Sequence, residues 1–185
     1  MKHCSQCGSH VSLRLPEGDN RKRYICDTCG YVHYQNPNNV CGAILTRGER
    51  ILLCRRAIEP RYGLWTLPAG FMENGETVAE AACREAHEEA NAKAKDISLF
   101  AVFSMPYISQ VYILFAGELT EDDVSAGPES LEVGLFKQEE IPWKELAFPV
   151  VGESLKMYFA HGIGKVHHAW FSRNDQFKHQ LHLGS

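Results

Sequence analysis

Two sets of residues in this chain have the types and spacing to do chemistry. Cys4-Ser5-Gln6-Cys7 and Cys26-Asp27-Thr28-Cys29 are thiol knuckles separated by 18 residues. Two residues between thiolates let each knuckle turn about one ion. Four soft sulfur ligands closing a tetrahedron suit a structural zinc, with no position left for a substrate. The second set is acidic: Glu85, Glu88 and Glu89 stand at i, i+3 and i+4. On a helix these carboxylates fall within about 100° of one another, and each like-charged pair costs roughly a few tenths of a kcal/mol. A hard divalent cation, magnesium or manganese, would remove that repulsion and, keeping several waters, would meet substrate phosphates. A solvated acidic face is the alternative that the carboxylates alone leave open.

These residues need elements to hold them. Thr77-Val78-Ala79-Glu80 has the form of a capping box, and the alanine-rich run after it predicts a helix from about Val78 to Ala90. Ala79, Ala82, Cys83, Ala86 and Ala90 form its expected apolar face beside the acidic flank. Val40 to Thr46 and Ile51 to Arg55 are strand-like runs on either side of a turn at Arg47-Gly48-Glu49-Arg50. The stretch Tyr62 to Gly70, punctuated by Gly and Pro, predicts an extended segment with a shaped backbone. From Asn36-Pro37 onward turn residues give way to strands. The reading is a zinc ribbon at 1–37, a main domain at 38–165 and a C-terminal tail at 166–185 without assigned role, whose Gly184-Ser185 is either native chain or an expression scar. Cys41, Cys54 and Cys83 have no partner spacing and are expected to be buried small hydrophobes. His3, His10 and His33 are not expected to ligate, because four cysteines satisfy the ion.

The stretch from Gly70 to Asn91 resembles the box of the Nudix family, G-x5-E-x7-R-E-U-x-E-E-x-G-U with U aliphatic, through Gly70, Glu76, Arg84, Glu85, Ala86, Glu88 and Glu89. That many identities at fixed spacing in a strand-loop-helix context is far more specific than a lone Gly-rich loop. The resemblance implies an α/β fold: a Nudix α/β/α sandwich with a mixed sheet, here preceded by the small four-cysteine ribbon. It implies that Glu85, Glu88 and Glu89 with the carbonyl of Ala69 hold magnesium or manganese, and that Glu76 and Arg84 pair to brace the loop against the helix. Two departures are read at the end of the box, Ala90 at the glycine and Asn91 at the aliphatic position. Asn91 is then expected to end the helix in the left-handed region in glycine's place.

Nudix enzymes hydrolyse a nucleoside diphosphate linked to another group. The water-activating glutamate in such enzymes often follows the central sheet, which makes Glu129 the candidate base and Glu132 the second. Both stand in Gly127-Pro128-Glu129-Ser130-Leu131-Glu132, before the strand-like Val133 to Phe136, and solvated loop carboxylates like Glu121, Asp122 and Asp123 are the alternative. A ribbon followed by such a domain resembles plant plastid FAD and ADP-ribose pyrophosphatases and, less closely, NADH pyrophosphatases. Tyr34-Gln35-Asn36-Pro37, Gly63 to Gly70 and Gly127 to Glu132 carry the plant-type likeness, and Ser104 to Gln110 lacks the S-Q-P-W element of the NADH group. The implied reaction is FAD or ADP-ribose hydrolysed to AMP plus FMN or ribose 5-phosphate. NADH or nucleotide-capped RNA hydrolysis and a non-catalytic sensing or nucleic-acid-binding module are the alternatives. Of Phe100, Phe103, Tyr107, Tyr112 and Trp143, one or two are expected to stack on a planar base, with Tyr107 and Tyr112 chosen, and the rest to be core.

With 185 residues, the chain has room for one enzyme domain and a small accessory. A formal net charge of -4 argues against life on a polyanion and leaves Arg14 and Arg21-Lys22-Arg23 of the ribbon as the one place for nucleic acid. No apolar run approaches the roughly 20 residues that cross a bilayer, and no secretory h-region opens the chain. The expectation is a cytoplasmic protein acting on a small nucleotide, with a homodimer allowed by family analogy.

Overall fold

The computed structural model describes residues 1–121, 124–173 and 179–184. The chain divides into two units, Met1–Pro37 and Asn38–Ser185. Asp122, Asp123 and Ser185, which entered the sequence reading, lie outside the described residues.

In the first unit three short strands, β1 (Val11–Arg14), β2 (Arg23–Cys26) and β3 (Val32–His33), form an antiparallel sheet in that order. Its core is a cluster of Cys4, Val11 and Cys26 with Tyr24 packed against them, and Ile25 is the one further buried apolar residue. So little apolar burial cannot hold a fold of this size, which leaves the four thiols as its organising feature.

The second unit is built on one mixed sheet. Its strands are β4 (Asn38–Arg47), β5 (Arg50–Arg56), β6 (Trp65–Thr66), β7 (Ala69–Phe71), β8 (Ala94–Met105), β9 (Gln110–Leu119), β10 (Ser130–Phe136), β11 (His167–Arg173) and β12 (His179–Leu183). They run in the order β10-β5-β4-β9-β8-β11-β12, with β6 beside β5 and β7 beside β4. The β4/β9 and β8/β11 pairs are parallel. The expected hairpin closes with Thr46 opposite Ile51 and Arg47 opposite Arg50.

Alternation along the strands fixes the layers, because successive side chains point to opposite faces. Cys41, Ala43 and Leu45 of β4 and Leu52 and Cys54 of β5 pack with Ala81, Ala82, Ala86 and Ala90 of helix α1 (Val78–Ala90). Ile44, Ile51 and Leu53 face the other way, into a cluster with Val150, Val151 and Leu155 of helix α2 (Pro149–His161). The result is the α/β/α sandwich.

Two expectations change here. Within 166–185, read from sequence as a tail without assigned role, residues His167–Arg173 and His179–Leu183 form β11 and β12, and β11 joins the sheet beside β8. Its register places His167 opposite Ala101 and Trp170 opposite Ser104, pairing across more than sixty residues that local pattern does not encode. Cys41 and Cys54 are buried as expected, but Cys83 is only half-buried. The buried face of α1 comprises Ala81, Ala82, Glu85, Ala86, Glu89 and Ala90. It is turned toward the acidic flank, so Ala79 and Cys83 sit at its margin.

Candidate functional site

The four thiols of the first unit lie within 4.8 Å of one another. Individual separations are 3.8 Å for Cys4 and Cys29, 3.4 Å for Cys7 and Cys26 and 3.5 Å for Cys7 and Cys29. A tetrahedron with metal–sulfur bonds of ~2.3 Å has edges of ~3.8 Å, so the cage has the size of a zinc site. Backbone N–H groups of Gln6 and Cys29 donate to the sulfurs of Cys4 and Cys26, each at 3.4 Å. Hydrogen bonds from Ser9 bring the Cys7 thiol down to about 6, which favours the ligating thiolate. The cluster consists of the four cysteines, and His3, His10 and His33 are not part of it.

The acidic site is assembled by α1 and the segment before it. Thr77 caps the helix, its hydroxyl accepting from Glu80 N–H at 3.2 Å while the Glu80 carboxylate accepts from Thr77 N–H at 2.8 Å. Two turns on, Arg84 reaches back. Its Nε and Nη2 donate to Glu76 at 3.0 and 2.8 Å, and Nη2 also donates to the Phe71 carbonyl at 3.0 Å. The pair therefore ties loop, strand end and helix together. The Arg84 guanidinium holds the Glu76 carboxyl down to about 2. The remaining donor of Arg84, Nη1, serves Glu85 at 2.7 Å and Glu88 at 3.0 Å.

Glu85 and Glu89 are only 8% and 6% exposed, although both carry charge-bearing groups. Burial, followed by the charge of Glu85, pushes Glu89 up to about 8. Burial likewise raises Glu85. Glu89 accepts a hydrogen bond from the backbone of Ala69, yet its Oε2 is buried without any partner. Gly70 makes the room: a Cβ there would sit 2.4 Å from the Glu85 carboxylate. An orphaned oxygen and a carboxylate seated against bare backbone fit a hard divalent cation, to which Glu85, Glu88 and Glu89 would contribute oxygens. The three carboxylates are less tightly gathered than the four thiols, which form the only cluster of three or more ligating side chains at such spacing among the described residues. Mutual repulsion and the pull of Arg84 on Glu85 and Glu88 account for the spread.

At the end of α1, Asn91 adopts the left-handed conformation, φ 48° and ψ 24°, and its N–H donates to His87 O at 2.8 Å. This corrects the register of the box. With the free position after the paired glutamates counted, the pattern's glycine falls on Asn91 and its last aliphatic on Ala92. The sequence therefore departs at one position only, Asn for Gly.

These groups line one cleft of about 830 Å³ in the second unit. Ala69, Gly70, Glu85, Glu88, Glu89 and Glu129 stand on it, with Tyr107, Tyr112, Met105 and Phe148 along another part of its wall. The charge of Glu129 acts on both Glu85 and Glu89. Glu132, the second candidate, is instead paired with Arg55 at 3.0 Å across the β10/β5 pair. Of the five aromatics, Tyr107 and Tyr112 reach the cleft, Phe100 and Phe103 are fully buried core, and Trp143 packs near Phe159.

Sequence reasoning missed Arg56 and Phe148. Arg56 lines the cleft, lies 5.2 Å over the Phe148 ring, and donates through Nε to Pro60 O at 2.9 Å. Its charge acts on Glu89 and on Tyr112, so it is within electrostatic reach of both the acidic group and the aromatic wall. The signal available was Arg55-Arg56 at a strand end, where alternation must send neighbouring guanidiniums to different faces.

The NUDIX domain model matches residues 36–158, and the ribbon model described as Nudix N-terminal matches residues 2–35. A crystal structure of a NUDIX hydrolase from Nitrosomonas europaea is 52% identical, with a TM-score of 0.88 over 92% of this chain and 98% of that one. The ADP-ribose pyrophosphatase of Methanocaldococcus jannaschii is 35% identical over 64% of this chain and 71% of its own length. The NAD-capped RNA hydrolase NudC of Stutzerimonas stutzeri is 26% identical over 89% of this chain, which spans 58% of that relative's length. With the box geometry, the cysteine cage and these matches together, the chain belongs to the Nudix hydrolase family and carries that family's N-terminal zinc ribbon.

Proposed function

We propose that this protein hydrolyses the pyrophosphate bond of a nucleoside diphosphate linked to a second group, with ADP-ribose or FAD as substrate and AMP plus ribose 5-phosphate or FMN as products. The observation that carries the reading is the cleft itself, in which two buried carboxylates, one with an unpartnered oxygen, lie within electrostatic reach of Glu129. The name of the Methanocaldococcus relative supports ADP-ribose. Magnesium or manganese held by Glu85, Glu88, Glu89 and the Ala69 carbonyl would neutralise the phosphates and make a bound water acidic.

The chain's own groups divide the remaining work. Glu129 accepts a proton from water as the water oxygen bonds to one phosphorus. The bond from that phosphorus to the bridging oxygen breaks, and the leaving phosphate carries off the electron pair. Arg56 holds phosphate oxygens on the side away from the carboxylates. Tyr107, Tyr112 and Phe148 offer aromatic faces to the planar ring. Arg84, fully engaged by Glu76, Glu85, Glu88 and Phe71, fixes the helix and loop.

A second reading is hydrolysis of nucleotide-capped RNA, supported by the names of the NudC relatives, of whose length the chain spans about half. The ribbon gives it limited help. Arg14 lies 3.6 Å from Asp27 and Arg23 lies 3.1 Å from Asp19, leaving Arg21 and Lys22 as the more available cations.

The test is a product assay with FAD, ADP-ribose, NADH, NAD, CoA and an NAD-capped RNA, each with magnesium or manganese, beside Glu89→Gln. Release of AMP from ADP-ribose or FAD, lost in the variant, is the expected result. Preference for the capped RNA would move the reading to the second class, and no turnover of any compound would end both.

A further inference from the structure

We propose that Asn91 is a positioning residue, whose side chain fastens the loop carrying Glu129 onto the end of the metal-site helix. The inference rests on the reading of Glu129 as the base and adds what places it. An α-helix leaves its last four carbonyls without intrahelical donors. In α1 the loop supplies two of them: Ser125 N–H donates to Ala90 O at 3.0 Å and Gly127 N–H to Glu89 O at 3.0 Å. The approach is so close that a Cβ on Gly127 would stand 1.7 Å from the Glu88 carbonyl oxygen.

Asn91 then adds what glycine could not. Its left-handed backbone ends the helix as glycine would, while its Nδ2 donates to Ser125 O at 3.1 Å and to Ser125 Oγ at 3.0 Å. Beyond the anchor, Ser130 N–H returns to Gly127 O at 3.1 Å and Ala57 N–H donates to Glu129 O at 2.8 Å. Glu129 is thus held on one side by the end of α1 and on the other by the residue after Arg56. Only Pro128 stands between the Gly127 anchor and Glu129, so a shift of the anchor passes to the carboxylate. A displacement of ~1 Å at a reacting group costs on the order of a hundredfold in rate. Asn91 is exposed, so its side-chain bonds contribute little to global stability and their effect is local.

The departure from the box supplies its own probe, because Asn91→Gly restores the family residue, keeps the left-handed turn and deletes only the two side-chain bonds. Kinetics of the unmodified protein, Asn91→Gly, Glu129→Gln and the double variant would be read together with amide hydrogen exchange at Ser125 and Gly127. The expected result is faster exchange at both amides in Asn91→Gly, a kcat lowered by roughly two- to tenfold with KM unchanged, and no further loss when Asn91→Gly is added to Glu129→Gln. Unchanged exchange, or an equal loss of kcat with and without Glu129, overturns the positioning role. Full activity of Glu129→Gln overturns the base and the positioning role together. An inactive unmodified protein overturns the proposed function, and the exchange data still report whether the fastening exists.

Discussion

Gly127 N–H donates to the carbonyl of Glu89 at 3.0 Å, so a single hydrogen bond joins the loop that ends in Glu129 to the residue whose carboxylate is most deeply set in the acidic site. In the proposed reaction, the loop of the candidate base is thus joined to the candidate metal helix through backbone at Gly127, beside the side-chain bonds of Asn91 to Ser125. The same contact makes the bare Cα of Gly127 a requirement of close approach.

Gly127→Ala is expected to push the loop off the helix end, because the added methyl would meet the Glu88 carbonyl at 1.7 Å. Backbone cannot yield as a side-chain tip does. A fall in kcat on the order of a hundredfold, with tryptophan fluorescence showing a folded second unit, is the outcome to look for. Unimpaired kcat would mean that the loop can stand elsewhere without consequence.

Arg56→Ala tests the cation within electrostatic reach of the carboxylates and the aromatic wall. Hydrogen bonds to charged groups are worth about 1.5–3 kcal/mol, or roughly ten- to a hundredfold in affinity. We expect KM for ADP-ribose to rise by that factor. Arg56→Lys should recover only part of it, since an ammonium lacks the planar fork and stacks less well over Phe148, 5.2 Å away in the native protein. An unaltered KM in Arg56→Ala would remove Arg56 from the substrate site.

What could be read from sequence and what could not separate along a physical line. Signals local in the chain were legible: each thiol knuckle, the capping box at Thr77, the glutamates at helical spacing and the Glu76 to Arg84 separation are patterns within nine residues or fewer. Long-range pairing was not. Nothing near Asn91 announces Ser125, nothing near Arg56 announces Phe148, and β11 finds β8 across the whole middle of the chain. The burial of Glu85 and Glu89 was hidden for a related reason. A hydrophobic pattern assigns carboxylates to solvent, whereas here the sheet-facing side of α1 runs through both.

Removing the metal cage should affect the ribbon first, because Cys4, Val11, Ile25 and Cys26 are its few buried apolar residues. Structural zinc in such units supplies about 10–16 kcal/mol of apparent binding energy. Cys26→Ser, or a strong chelator, is expected to open residues 1–37 to trypsin at Arg14 and at Arg21-Lys22-Arg23. Trp65, Trp143 and Trp170 all belong to the second unit, so their fluorescence serves as the internal control for its fold. Continued resistance of the ribbon after metal loss, verified by metal analysis, would show that the thiols do not hold it.

The ion pair of Glu76 with Arg84 predicts how acid acts on the fold. Glu76 has its pKa lowered from 4.5 to about 2, first by the hydrogen bonds from Arg84 and then by the backbone N–H of Glu73 at 2.7 Å. A carboxylate with a depressed native pKa binds fewer protons folded than unfolded. Its stabilising contribution is complete above about 4.5 and is lost as the pH falls through about 2. Glu76→Gln should therefore melt below the native protein at neutral pH, with the gap closing in that window. Glu76 faces Arg84 and the Glu73 backbone, so the slope belongs to this pair. A melting difference that persists unchanged below about pH 2 would assign the loss to packing of the loop and away from the charge on Glu76.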